Sequence, residues 1–80
     1  MKVPVIKRLV ETQSLQSLVE AEEALLDERQ PSFEVEGDDE GEQLTHVFGA
    51  IWILNHMQDH HVEFPAALRE FTKKVRVSIS

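Results

Sequence analysis

Between Leu44 and Met57 the chain carries an apolar stripe too wide for a helix that merely rests on a core. Plotted at about 100° per residue, Leu44, Val47, Phe48, Ile51, Trp52 and Leu54 share one side, and Ala50 and Met57 widen the arc to about 220°. A surface helix needs little more than about 100°. A helix from about residue 42 to 60 is therefore expected at the centre of the fold, covered on two sides at once. In a chain of 80 residues, few other elements can do the covering. Either the remaining helices wrap this one, or a second copy of the chain closes one side. The stripe favours the second arrangement, a homodimer with this helix near its axis and with Trp52 and Phe48 buried there. A compact monomer, its other helices surrounding this one, is the alternative.

The rest of the pattern is also helical. Ile6, Leu9 and Val10 recur at helical spacing behind Pro4, which suits a first turn. Ser14 is a good N-cap, and Leu15, Leu18, Val19, Glu22, Leu25 and Leu26 follow the i, i+3, i+4 rule. That second helix is expected over about 15–29, with Pro31 stopping it. Residues 32–36 alternate and residues 37–41 form a loop by composition. Pro65 opens a last helix with Leu68, Phe71 and Val75 inward. The expected fold class is all-α, one domain over 1–80, a small bundle of about four helices. One rival pattern stands beside it. Val75, Val77 and Ile79 alternate with Arg76, Ser78 and Ser80, so this tail could pair as a strand with 33–36, Glu34 and Glu36 facing Lys74 and Arg76.

So short a chain buries only roughly 60–65% of its unfolded surface, which leaves stability marginal. Cysteine is absent, so disulfides, thiol catalysis and cysteine-held zinc are excluded. The nearly unbroken apolar run from Val47 to Leu54 is too short to span a bilayer. Pro4, Lys7, Arg8 and Glu11 break up any signal-like core near the N-terminus, so a cytoplasmic location is expected.

Charge is distributed very unevenly. Residues 1–13 carry three bases and one acid, while residues 14–42 carry eleven acids against Arg29 alone. The chain as a whole stands at −7. Such a field disfavours nucleic acid and anionic membrane. Within it, residues 34–46 invite two readings. Asp38 and Asp39 would cap and charge the start of the central helix. Alternatively Asp38, Asp39, Glu42 and His46, with Trp52 further along, would form a contact surface for a basic partner.

Catalytic chemistry finds little support. Glu42 and His46 are four residues apart, as are His56 and His60, so each pair offers two ligands to one metal ion. The pairs lie about 15 Å apart along the axis at 1.5 Å per residue, so a closed site would have to be completed from elsewhere, for instance across a dimer. A calcium loop at 36–41 fails because Val47 stands where a bidentate acid is required. Thr45 and His46 are neighbours, but adjacent helical side chains point about 100° apart. Three glycines match no nucleotide fingerprint. Arg69, Lys73 and Arg76 make a short basic stripe beside Glu70, too little for nucleic acid. No catalytic residue and no cofactor is expected.

Several blocks carry a family likeness: residues 3–11 (Val3-Pro4-Val5-Ile6-Lys7-Arg8-Leu9-Val10-Glu11), residues 21–26, the run 34–46, and the ending Ala67-Leu68-Arg69-Glu70-Phe71 with Val75-Arg76. On these the chain resembles a family of short, acidic, uncharacterised bacterial proteins, a domain of unknown function met mainly in Bacteroidetes. The resemblance implies a self-contained small helical protein and supplies no activity, but it draws attention to 34–46. The function expected is thus a non-enzymatic interaction or adaptor domain, homodimeric, with its acidic surface meeting a basic protein. The alternative is a histidine-lined metal-binding protein or metal-dependent enzyme using His56, His60, His46 and Glu42.

Overall fold

Each apolar cluster of the sequence becomes one helix. The computed structural model describes residues 1–79, with side chains described for residues 1–75. Its elements are α1 (Val3–Thr12), α2 (Leu15–Leu26), α3 (Glu40–His60) and α4 (Phe64–Ile79). Among the described residues there is no strand, and no helix is long and apolar enough to cross a membrane. The fold is a small all-α bundle. Its Cα radius of gyration is 12.1 Å, close to the roughly 12 Å expected of a packed chain this long.

α3 is the centre, as its stripe requires, and α1, α2 and α4 all pack against it. The core joins Ile6, Leu9 and Val10 of α1, Leu18 and Ala21 of α2, Val47, Ala50 and Ile53 of α3, and Ala67 and Phe71 of α4. Trp52 is half-buried inside the same chain. Its ring stacks on His56 at 4.9 Å and meets Phe71 of α4 at 5.6 Å.

The helix is rotated from the orientation its hydropathy implies. His46 and Gly49 fall in the polar arc of the sequence, yet both are buried, whereas Phe48 is 52% exposed. The reason is steric. A Cβ on Gly49 would lie 3.1 Å from both Ile6 Cδ1 and Phe71 Cζ, so the absent side chain lets α1 and α4 close on the helix. Close approach at Gly49 outweighs the apolar area of Phe48.

Two helix ends also differ from expectation. α2 stops at Leu26 rather than near residue 29 because Glu28 turns into the left-handed region at φ 60. The Arg29 N–H then reaches the Ala24 carbonyl at 2.7 Å and the Glu28 N–H reaches Leu25, a Schellman closure completed before Pro31. At the other end, residues 75–79 continue α4, so the strand alternative fails. Val75 follows Phe71 at helical spacing and packs on the core, which fixes the period. The side chain of Arg76 and the backbone of Ser80, both part of that alternative, lie outside the described residues.

Candidate interaction site

The acidic segment between α2 and α3 has an inner face and an outer face, and they are used differently. The inner face is built on α1. Arg8 Nη1 donates to Glu36 Oε1 at 2.9 Å, Lys2 Nζ lies 3.9 Å from Asp38, and the N-terminal ammonium lies 3.8 Å from Glu42. Asp39 is the N-cap of α3 and accepts the Glu42 N–H at 2.8 Å, while Glu42 reaches back to accept the Asp38 N–H at 2.9 Å. This reciprocal exchange satisfies two amides, much as a capping box does. Accepting the Asp38 N–H holds the Glu42 carboxyl below its ordinary value, with the positive charges of Lys2 and the N-terminus acting in the same direction.

His46 locks this face in place. Its ring is fully buried, Nε2 accepts the Lys2 backbone N–H at 2.9 Å, and Nδ1 lies 2.7 Å from the Glu36 carbonyl. Because Nε2 must accept, Nδ1 carries the proton and donates, so the imidazole is neutral. One side chain on α3 therefore ties together the start of α1 and the acidic loop. Gly37 permits the approach: a Cβ there would stand 2.8 Å from the Gln43 backbone nitrogen. Its φ is not positive, so clearance rather than turn geometry requires the glycine.

Of the residues expected to form a contact surface, His46 is therefore corrected to an internal strut. Asp39 and Glu42 spend their carboxylates on capping, while Asp38 and Asp39 are both exposed, the Asp38 side chain 83% accessible. Trp52 stands on the α4 side of the helix. His56 and His60 do come together, ring centroids 4.3 Å apart, but Glu42 and His46 are committed at the other end of α3. Among the described residues no group of three His, Asp or Glu side chains is arranged to hold a metal ion.

The outer face takes in residues 34–40 of the expected acidic surface and adds Glu28 and the wall of Leu25, Pro31 and Phe33, which were not singled out from the sequence. Between the end of α2 and the start of α3 lies an open cleft of about 910 Å³. Leu25, Pro31, Phe33 and Val35 contribute apolar wall. Glu28, Glu34, Glu36, Asp38, Asp39 and Glu40 supply six carboxylates, against Arg29 as the one base. Arg29 is itself paired with Asp27 at 3.2 Å. The signal available in the sequence was the spacing of Glu28, Glu34 and Glu40 on either side of Pro31 and Phe33, but only the Schellman turn brings them round one hollow.

No curated protein and no solved structure matches the chain. A family match covers it from residue 1 to residue 80, and the chain belongs to that family of unknown function, DUF6952.

Proposed function

We propose that this protein is a cytoplasmic, non-enzymatic interaction domain that accepts a basic segment of another protein in the cleft between α2 and α3. The observation that carries this reading is a hollow with an apolar wall whose Glu28, Glu34 and Glu40 carboxylates are engaged neither by α1 nor by the α3 cap, and whose one arginine is already paired with Asp27. A lysine- or arginine-rich segment would find opposite charge at the rim and a surface for its aliphatic stems on Phe33 and Pro31. Exposed carboxylates of this kind set encounter rate and partner sign more than raw affinity, so binding should weaken steeply with salt.

Calorimetric titration with a twelve-residue Lys/Arg peptide, at low and at physiological ionic strength, tests this. The expected result is salt-sensitive binding that is lost in the triple variant Glu28→Gln, Glu34→Gln, Glu40→Gln. Binding unchanged by salt or by that variant would refute it. The rival metal-binding reading has the His56–His60 pair as its support. It predicts that zinc raises the melting temperature and that joint His56→Ala and His60→Ala substitution abolishes the rise.

A further inference from the structure

Among the described residues, three of the five large apolar side chains left exposed lie on one side of the α2/α3 hairpin. Val19 is 37% exposed, Leu26 63% and Phe48 52%. Leu26 and Phe48, with Glu22, Leu44 and Thr45, line a groove of about 350 Å³ between the two helices. Val19, Glu22 and Leu26 are spaced i, i+3, i+7 along α2, and Leu44 and Phe48 are i, i+4 along α3, so each helix contributes one wall. The α2 stripe runs about 10 Å at 1.5 Å per residue, enough to seat two turns of another helix.

Charge selects the occupant. Neither α2 nor α3 contains a lysine or arginine, while α2 carries Glu20, Glu22 and Glu23 and α3 carries Glu40, Glu42 and Asp59. The other exposed large apolar side chains among the described residues are Met1 and Val3, at the start of α1. A second copy could offer this groove its own α2/α3 face, which is acidic, its basic α4, which exposes no large apolar side chain among the described residues, or the start of α1, where Met1 and Val3 make less than one turn and the nearby Lys2 and Arg8 are taken by Asp38 and Glu36. Area argues the same way. Three part-exposed side chains present on the order of a few hundred Å², against roughly 800 Å² per partner in a stable dimer. Enlarging the contact would bring two acidic rims together.

We infer that this groove seats a basic amphipathic helix of a different protein, its apolar ridge on Leu26, Leu44 and Phe48 and its lysines or arginines over Glu22 and the α2 carboxylates. The inference rests on the proposed function, since the cleft lies at the same end of the hairpin and would hold the basic chain continuing from that helix. It adds a second demand on the partner: amphipathic order as well as charge.

The test uses two eighteen-residue peptides of one composition, Leu, Lys and Ala. In one the leucines recur at i, i+3, i+4 and i+7, and in the other they are scrambled. The ordered peptide should bind roughly tenfold more tightly, as loss of one or two buried anchors implies. It should also shift the Leu26, Leu44 and Phe48 methyl and ring signals. Leu26→Ser with Phe48→Ser should reduce it to the level of the scrambled peptide while the variant still unfolds cooperatively, because both side chains are more than half exposed. Equal binding of the two peptides, with shifts confined to residues 28–40, would overturn the groove and leave the cleft standing. Binding of neither peptide would overturn both. A dimer of the free protein that the double variant dissolves would overturn the inference by showing that a second copy is the occupant.

Discussion

The two faces of the acidic segment have nearly the same composition and opposite fates. On the inner face Glu36, Asp38, Asp39 and Glu42 meet Arg8, Lys2, backbone amides and the N-terminus. On the outer face Glu28, Glu34 and Glu40 ring a hollow whose one arginine is taken by Asp27. Charge alone does not distinguish them. The distinction comes from His46 and Gly37, which bring the loop against α1 at one edge and leave the other edge open. Exposed ion pairs such as Arg8–Glu36, with side chains 64% and 48% accessible, contribute about 0–1 kcal/mol each. The buried imidazole and the contact of Val35 with the core hold the loop more firmly.

Substitutions should separate the faces by size of effect. His46→Ala strands the Lys2 N–H and the Glu36 carbonyl and leaves a void, so a loss of about 3 kcal/mol is expected in urea unfolding. Gly37→Ala drives a Cβ into the α3 backbone and should cost about 2 kcal/mol by the same measurement. Asp39→Ala removes the cap of α3 and should cost about 1 kcal/mol, read as a lower melting temperature. Glu42 adds a pH signature. Its carboxyl titrates lower in the folded chain than in the unfolded one, so its contribution is complete above the unfolded value and is lost as pH falls through the folded value. An acid titration of stability should show that loss in the wild type and less of it in Glu42→Gln. Glu34→Gln and Glu40→Gln on the outer face should change stability by less than about 0.5 kcal/mol. A large loss there would erase the distinction between the faces.

Much of the architecture was legible because it follows from local chemistry. Ser14 does accept the Ser17 N–H at 3.1 Å, Pro4 and Pro65 do stand in first turns, and the wide stripe of α3 does mark the central helix. The rotation of that helix was not legible. Hydropathy counts Phe48 as inward and His46 as outward, but the close approach at Gly49 and two well-placed backbone partners of His46 reverse the order. The same blindness affected the charges. A basic start and an acidic middle were visible as blocks, yet only folding shows that part of the acid is spent on the chain's own α1. The Glu28 turn escaped for a similar reason, since glutamate at positive φ carries no compositional mark.

The most direct test is an amide-resolved NMR titration of the wild type with the Lys/Arg peptide, followed by addition of salt. If the outer face is the binding face, shifts concentrate at residues 28–34 and at Glu40 and fade with salt, while the amides of Lys2, Gly37 and His46 stay where they are. Shifts centred on Lys2, Gly37 and His46, with the peptide displacing α1 from the loop, would contradict the division of the acidic segment into a structural face and a free one.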